Sequence, residues 1–249
     1  MAVSRRSLPA RAVVLASRPL GEADRIVRLF TREHGRLDAV VKGVRRSGSR
    51  WGGRLEPFNL VDLLLYPGRS LYTVTQAQPL ADYPRLRGQR EALVAAAVAC
   101  EAAAGLTSEH QPDEAVFDLL VEVLGLADAG LAAPAARSPF LAGVLFRLLA
   151  AAGLRPVLEH CAVCGGGGRA LGFSAARGGL VCGDCLHEGA PVTPEAVAAL
   201  VEARDVPLAG LAGRPPSAAA GEALRHLHAL YAWHSGGRLR SLHFASATG

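Results

Sequence analysis

The sequence predicts an α+β multidomain protein: an N-terminal five-stranded β-barrel followed by a mostly α-helical domain with an inserted four-cysteine segment. Five short apolar segments separated by turn residues occupy the first third of the 249-residue chain. The remainder is rich in Ala, Leu and Val and carries helix-capping patterns. Four cysteines fall in one short window as two C-x2-C pairs. We therefore expect a barrel over residues 1–80, a helical domain over 81–158 and 190–249, and an insert over 159–189.

The first region is predicted to be β-structure because its apolar segments are short and each ends at a turn. The segments are residues 12–17, 25–31, 37–44, 59–66 and 71–76. Five strands in about 70 residues match the size of an OB-fold, a closed barrel whose strands and loops bind oligonucleotides. In the third strand a period of two places Leu37, Ala39 and Val41 on one face, which we predict to be the core face.

The opposite face of this strand and the loop after it are strongly basic. The unbroken period of two would bring together Arg36, Lys42 and Arg46, and residues 45–54 contain four arginines, three glycines and one tryptophan. Proteins that bind single strands combine a cationic groove with aromatic platforms for bases. The predicted nucleic-acid contact comprises Arg36, Lys42, Arg45, Arg46, Arg50, Trp51 and Arg54. The alternative is a solvated loop with Trp51 folded back onto the barrel end.

The distribution of charge also indicates that the N-terminal region is the part that binds nucleic acid. The net charge of +5 divides into +8 for residues 1–80, −4 for residues 81–160 and +1 for residues 161–249. Such asymmetry is typical of a domain that meets a polyanion. Further arginines that could extend the patch are Arg5, Arg6, Arg11, Arg25, Arg28 and Arg32.

Helices in the second region are predicted from their first and last residues. Ser138 followed by Pro139 begins a helix over residues 140–152, and Gly153 ends it. The Thr193-Pro194 pair and Ser217 begin two more. Residues 204–216, with three prolines and two glycines, are predicted to be a connecting loop.

Residues 113–126 have apolar side chains at helical spacing, and Asp118 and Glu122 lie on the other face. These acids, with Asp113 and Glu114, are the densest acidic group that we considered for catalytic metals, and a solvated helix face explains them more simply. The chain has no Walker loop, G-x-S-x-G or H-E-x-x-H motif. We therefore expect a protein that is not an enzyme.

The cysteines form the strongest local motif. Cys161, Cys164, Cys182 and Cys185 give the spacing C-x2-C-x17-C-x2-C, which is typical of a four-thiolate zinc site. Segments 171–174 and 180–181, with a turn between them, can form a hairpin that brings the pairs together, as in a zinc ribbon. Four thiolates saturate the metal, so one structural Zn²⁺ per chain is predicted. Two alternatives remain: a redox-active dithiol, and replacement of one ligand by His160 or His187.

Cys100, in an alanine-rich run, is expected to be a buried helix residue.

No apolar run approaches the roughly 20 residues of a membrane span. The N-terminus lacks the apolar core of a secretory signal. A cytoplasmic location is therefore expected, and disulfides are not.

The stretch GEADRIVRLFTREHGRLDAVVKGVRR, residues 21–46, resembles the N-terminal signature of the RecO family of bacterial recombination mediator proteins. The alanine-rich region and the four-cysteine motif follow in the family's order, so the resemblance covers essentially the whole chain. It implies an N-terminal OB-fold, a helical C-terminal domain and a zinc-binding insert.

The resemblance also implies a function in DNA repair without catalysis. Members bind single- and double-stranded DNA, anneal complementary strands, associate with RecR and help load RecA onto DNA coated by single-strand-binding protein. By the same resemblance Arg36, Lys42, Arg45 and Arg46 are phosphate contacts, and the location is cytoplasmic and nucleoid-associated. The alternative function is that of a zinc-ribbon nucleic-acid adaptor in transcription or RNA binding.

Overall fold

The chain divides into two compact units, Met1–Pro84 with Thr107–Leu124, and Arg85–Leu106 with Gly125–Gly249. The computed structural model describes residues 7–46, 48–49, 51 and 53–242. The first unit contains the predicted barrel and the second contains the predicted helical domain with its cysteine insert. The structure differs from the predicted division at residues 107–124, which group with the barrel.

The first unit is built on a closed five-stranded barrel. Its strands are β1 (Leu8–Leu20), β2 (Asp24–Thr31), β3 (Gly35–Val41), β4 (Leu60–Tyr66) and β5 (Tyr72–Ala81). They follow the order β1-β2-β3-β5-β4, and β1 closes the barrel by pairing with both β2 and β4. The β3–β5 pair is parallel, whereas β2–β3 and β4–β5 are antiparallel. This is the Greek-key arrangement of an OB-fold, and it confirms the predicted fold class.

Strand β3 confirms the predicted core face but not the predicted basic face. Leu37, Ala39 and Val41 are buried in the barrel core. The strand ends at Val41 because the chain then turns: Gly43 has a φ of +69° and its N–H donates to the Asp24 carboxylate at 2.8 Å. The alternation that placed Lys42 and Arg46 on the face of Arg36 is therefore wrong.

Residues 107–124 pack on the β2–β3 hairpin. The His110 N–H donates to the Arg36 carbonyl at 3.0 Å. Gly35 makes this close approach because a Cβ there would lie 2.1 Å from the Gln111 carbonyl oxygen, and its φ of +68° also favours glycine. Further along the segment, Arg32 lies over the Phe117 ring, 5.6 Å from its centroid, and donates to Asp118 at 2.7 Å. These contacts join the start of a helix to the barrel.

The α-helices that the structure describes are α1 (Arg90–Leu106), α2 (Glu114–Ala129), α3 (Pro139–Ala151), α4 (Pro194–Asp205), α5 (Leu208–Ala212) and α6 (Ala218–Ser235). In the second unit α3 lies at the centre and contacts α1, α4, α5 and α6. Ten of its residues are buried, as expected for a central helix. Among the described residues, no helix has the length and apolar character that crossing a membrane requires.

The predicted helix starts are confirmed by side-chain caps. Ser138 Oγ accepts a hydrogen bond from the Leu141 N–H at 3.3 Å, Thr193 Oγ1 from Ala196 at 3.2 Å, and Ser217 Oγ from Ala220 at 2.9 Å.

The predicted loop over residues 204–216 is wrong in its middle, where α5 forms. Leu208 and Leu211 of α5 are buried, and α5 contacts α3. A Cβ at Gly143 of α3 would lie 2.5 Å from the Leu211 Cδ1, so this glycine makes room for α5. Packing on α3 therefore stabilises a helix too short to be recognised from its own sequence.

The cysteine insert contains the predicted hairpin, which is part of a small three-stranded sheet. Strands β6 (Ala170–Ser174), β7 (Gly179–Cys182) and β8 (Ala190–Pro191) follow the order β7-β6-β8. The antiparallel β6–β7 hairpin turns at Gly178, whose φ is +76°. A 3-10 turn over Gly183–Glu188 follows β7.

Candidate nucleic-acid surface and metal centre

The β3–β4 loop, residues 42–59, is held in place by contacts at both of its ends. The Arg45 N–H donates to the Ala23 carbonyl at 3.0 Å, so the start of the loop packs on the β1–β2 turn. At the other end the Asn59 side-chain amide donates to the Gly53 and Arg54 carbonyls at 2.8 and 3.1 Å. The loop therefore presents its exposed side chains from a fixed backbone wherever the structure describes it.

Trp51 anchors this loop from inside the barrel. Its side chain is part of the barrel core with Leu55, and only 3% of the residue is exposed. Its indole Nε1–H donates to the Lys42 carbonyl at 2.8 Å. The prediction that Trp51 stacks on bases is wrong, and the alternative that it folds back onto the barrel end is confirmed. The physical reason is that a large apolar ring gains more from filling the core than from facing water.

The exposed surface of the loop is cationic. Lys42, Arg45, Arg46 and Arg54 are all exposed, and none has an acidic partner within the described part of the chain. The Arg45 guanidinium donates to a neutral group, the Gly21 carbonyl, at 3.1 Å. We call these four residues the cationic loop surface. Arg50, also predicted as a contact, lies outside the described residues, as do Arg5 and Arg6.

Arg36 has a different environment. Its side chain is 16% exposed, its Nε–H donates to the Thr107 carbonyl at 3.1 Å, and its guanidinium lies 3.6 Å from Glu109. Arg36 thus holds residues 107–124 against the barrel. Its side chain is largely buried, whereas the Lys42 side chain is exposed.

Most other arginines of the barrel are neutralised by acids. The pairs are Arg11–Asp62 at 3.0 Å, Arg25–Glu56 at 3.0 Å, Arg28–Asp38 at 2.9 Å and Arg32–Asp118 at 2.7 Å. Hydrogen bonding to Asp38 raises the pKa of Arg28 above its ordinary value. The sequence allows these four arginines to extend the basic patch, but each has an acidic partner in the structure. Because these arginines are paired, fewer cations of the described barrel remain without an acidic partner.

Two cations that the sequence did not single out belong with the unneutralised ones. Arg18, near the end of β1, and Arg69, in the β4–β5 loop, are exposed and have no acidic partner among the residues described. Arg18 pairs in register with Ile26, so it lies at the barrel end where the β1–β2 turn receives Arg45. The position of Arg18 at this barrel end follows from the strand register, which the sequence alone does not give.

The four cysteines of the insert converge on one point. The Sγ atoms of Cys161, Cys164, Cys182 and Cys185 all lie within 4.8 Å of one another, and those of Cys164 and Cys182 are 3.8 Å apart. A tetrahedral site with metal–sulfur bonds of about 2.3 Å has edges of about 3.8 Å. A disulfide would need about 2.05 Å. The geometry therefore fits four ligands of one metal ion.

Local backbone contacts shape the first cysteine pair. The Cys161 N–H donates to the Gly166 carbonyl, and the Gly165 N–H donates to the Cys161 carbonyl, both at 2.9 Å. Gly165 has a φ of +72°, which lets the chain turn tightly after Cys164. The Cys182 N–H points at the Cys161 Sγ, 3.5 Å away, and so connects the two pairs.

The same surroundings shift the pKa values of two of these thiols in opposite directions. Backbone N–H groups, first that of Cys164 and then that of Cys182, lower the pKa of Cys161 to about 6. Burial raises the pKa of Cys185 to about 12 in the metal-free centre. A bound dication deprotonates a coordinating thiol outright, so it offsets the cost of burying a thiolate.

Among the residues that the structure describes, the centre consists of cysteines alone. Neither His160 nor His187 belongs to the cluster, so the alternative of a histidine ligand is wrong. Cys100 is buried in α1, as predicted, and burial raises the pKa of its thiol to about 12. A thiol of that pKa stays protonated at neutral pH and is inert.

Together these features define a two-unit protein with an OB-fold barrel, a helical unit and a cluster of four cysteines that could hold a metal ion. Residues 6–83 match the family model "Recombination protein O N terminal", and residues 87–243 match "Recombination protein O C terminal". The chain belongs to the RecO family of DNA repair proteins.

Curated relatives agree with this assignment, and each is named DNA repair protein RecO. The relative from Frankia casuarinae is 46% identical over 187 residues, which cover 72% of this chain and 73% of that protein. The relative from a Nocardioides species is 45% identical over 195 residues, covering 76% and 79%. The relative from Anaeromyxobacter dehalogenans strain 2CP-C is 37% identical over 245 residues, covering 95% of both chains. The resemblance of residues 21–46 to this family is thereby confirmed.

Proposed function

We propose that this chain is a recombination mediator without catalytic activity. In this proposal it binds single- and double-stranded DNA without sequence preference, anneals complementary strands and, with RecR, helps load RecA onto DNA coated by single-strand-binding protein. The observation that carries the proposal is the cationic loop surface on the OB-fold of a RecO-family chain. Its four cations have no acidic partner among the described residues, whereas most nearby arginines are paired.

The composition of this surface favours contacts to phosphate over contacts to bases. Phosphate contacts position a protein on DNA without reading sequence, and they leave base edges free. Because Trp51 is buried, its ring is not available to stack on bases. Cations on such a surface screen the repulsion between two polyanions, which brings complementary strands together while their Watson–Crick edges remain open.

We further propose that the four-cysteine centre holds one structural Zn²⁺. Four thiolates are a donor set that zinc prefers, and they leave no open position for water or substrate. Cys161, Cys164, Cys182 and Cys185 would hold the ion, which would join the β6–β7 hairpin to the preceding knuckle. RecR and single-strand-binding protein as partners, and a cytoplasmic, nucleoid-associated location, are proposed from family membership.

The salt dependence of DNA binding tests the proposed surface. For single strands, log affinity falls with log salt by about 0.7 for each phosphate contact. We expect Arg46→Gln to weaken binding of a single-stranded oligonucleotide and to reduce this slope by about that amount. The matched control is the double substitution Arg11→Gln with Asp62→Asn, which removes an exposed ion pair at no change in net charge.

Fluorescence anisotropy at several salt concentrations measures both quantities. An Arg46→Gln slope equal to that of the wild type, or an equal change in the control, would contradict the proposed surface. A strand-annealing assay and a RecR pull-down with the wild-type protein test the function itself. A mediator is positive in both assays, and a nucleic-acid adaptor of transcription or RNA binding is negative in both.

A further inference from the structure

The second tryptophan of the chain has surroundings opposite to those of the first. Trp233, in the last turn of α6, is 64% exposed, the highest value among the large apolar side chains that the structure describes. Burial of such a ring is strongly favourable, and exposed aromatic side chains are typical of binding surfaces. Trp233 therefore needs an explanation other than packing within the second unit.

The exposed face of α6 carries an arginine in line with this ring. Arg225, Ala229 and Trp233 follow at intervals of four residues, so they lie along one side of the helix, and all three are exposed. With a rise of about 1.5 Å per residue, Arg225 and Trp233 are about 12 Å apart along the axis. The small side chain of Ala229 lies between them.

The segment after α6 folds back along the helix and adds two more arginines. Gly236, with a φ of +70°, ends α6. Leu239 is fully buried, and its N–H donates to the His228 Nε2 at 3.1 Å, which brings the segment against the helix. Arg238 and Arg240, on either side of Leu239, remain exposed.

No acidic residue offsets these arginines within their own part of the sequence. Residues 223–249 contain three arginines and no Asp or Glu. Two acids outside this stretch, Glu101 and Glu222, accept hydrogen bonds from neutral groups, and Glu222 also interacts electrostatically with Arg225. The Glu101 carboxylate accepts from the Arg240 and Ser241 N–H groups, both at 2.9 Å, and the Glu222 carboxylate accepts from the Thr193 N–H and hydroxyl, both at 2.8 Å.

We propose that this face is a second DNA contact, specific for single strands, in which the Trp233 indole stacks on an unpaired base while Arg225, Arg238 and Arg240 contact phosphates. An exposed aromatic ring with cations around it is the combination that single-strand binders use. A duplex hides its base faces, so it can use the arginines and not the ring. The inference rests on the proposed function in that both need DNA binding, and it adds a site on the helical unit.

The test compares single-stranded and duplex oligonucleotides with full-length, zinc-loaded protein. A stacked base contributes about 1–3 kcal/mol, so Trp233→Ala should weaken binding of an oligo-dT strand by about 5- to 150-fold. The same change should alter duplex affinity by less than about twofold, because stacking is the interaction that is lost. Trp233→Phe, which keeps a flat ring, should recover part of the affinity. Wild-type tryptophan emission should be quenched by oligo-dT, and this quenching should be lost in Trp233→Phe.

Arginine variants complete the experiment. Arg225→Gln should weaken binding to both kinds of DNA. The control is Arg155→Gln, which removes another exposed arginine of the same unit, one close to Glu159 and Asp205, and should change affinity little. Because Trp233 is exposed, both of its variants should keep the wild-type unfolding midpoint.

The outcomes separate this inference from the proposed loop surface. Equal losses for single strands and duplex in Trp233→Ala, or no loss for either, overturn the stacking site whatever Arg46→Gln shows. A Trp233→Ala variant that keeps its DNA affinity but loses RecR overturns it in favour of a protein-binding surface. A single-strand-specific loss in Trp233→Ala together with an unchanged Arg46→Gln supports the α6 site and rejects the loop surface. Wild-type protein that binds no oligo-dT rejects both.

Discussion

At the scale of single residues, the indole of Trp51 has two functions in the barrel. It fills the core beside Leu55, and it fixes the start of the β3–β4 loop through its hydrogen bond to the Lys42 carbonyl. The loop cations therefore depend on a side chain that does not itself meet solvent. A substitution there should act through stability first and through DNA binding second.

We expect Trp51→Ala to lower the free energy of unfolding by about 3–5 kcal/mol, because it removes a large buried ring and leaves a cavity. Trp51→Phe keeps much of the ring and loses the hydrogen bond, so about 1–2 kcal/mol is expected. Urea unfolding followed by circular dichroism measures both. A Trp51→Ala variant with wild-type stability and reduced DNA affinity would show instead that the ring meets DNA.

His226 is a second residue with a measurable individual effect. It is 9% exposed, its ring centroid lies 5.2 Å from that of Phe173, and its Nε2 lies 3.7 Å from Glu222. Burial lowers the pKa of His226 below its ordinary value of 6.5, and Glu222 opposes this only in part. The folded protein therefore binds a proton at this histidine less readily than the unfolded chain does.

The sign of the pH effect follows from this difference. Above pH 6.5 the histidine is neutral in both states and contributes no pH dependence; as the pH falls below 6.5, the unfolded chain gains the proton first and stability decreases. We expect His226→Gln to lose less thermal stability than the wild type between pH 7 and pH 5.5. Melting temperatures at the two pH values, with excess zinc present, check this. Identical losses in the two proteins would show that His226 is not responsible.

At the scale of elements, Arg147 joins α3 to the end of α4. Its Nη1 donates to the Gly143 and Ala203 carbonyls at 3.1 and 2.7 Å, and its Nη2 donates to the Val206 carbonyl at 2.6 Å. Carbonyls at a helix C-terminus have no partner inside the helix and attract cations. A positive charge in an otherwise apolar helix is thus explained by the helix that ends beside it.

Replacing this arginine should destabilise the helical unit. Arg147→Leu leaves buried carbonyls without donors, and we expect a loss of about 2–4 kcal/mol. Arg147→Lys should recover only part of it, because an ammonium cannot reproduce the fork of a guanidinium. Thermal unfolding measures the difference, with the exposed Arg155→Leu as the control. Equal stabilities for Arg147→Leu and the control would disprove this function of Arg147.

At the scale of the whole molecule, the four-cysteine centre is part of the helical unit and not an isolated appendage. Phe173 of β6 is buried and contacts His226 of α6, and β6 also contacts α4. The apolar cluster at the centre itself consists of one valine and three of the cysteines. The cysteines themselves therefore have little apolar packing around them, and a metal would add stability at that point.

We expect purified protein to contain about one zinc per chain and to lose it to a strong chelator. Loss of the metal should lower the unfolding midpoint of the helical unit and leave the barrel transition nearly unchanged. Cys161→Ser should behave like the chelated protein, whereas Cys100→Ser should keep its zinc. Elemental analysis and calorimetry make the comparison. Metal-free protein that melts like the wild type would exclude a structural zinc.

The features that the sequence predicts correctly are those set by residues close together in the chain. Five strands, the helix caps at Ser138, Thr193 and Ser217, and the convergence of the cysteines follow from patterns of a few residues, so the sequence by itself determined them. The same local patterns missed α5, whose stability comes from α3.

Tertiary structure alone decided which charges and rings are available. Arg11 is paired with Asp62, 51 residues away, and Arg32 with Asp118, 86 residues away. Lys42 and Arg46, by contrast, have no acidic partner among the described residues. Trp51 entered the core, and Trp233 stayed in water. Ion pairing and burial depend on which strands and helices become neighbours, so the chain determined the number of its cations, and the fold determined which of them have acidic partners.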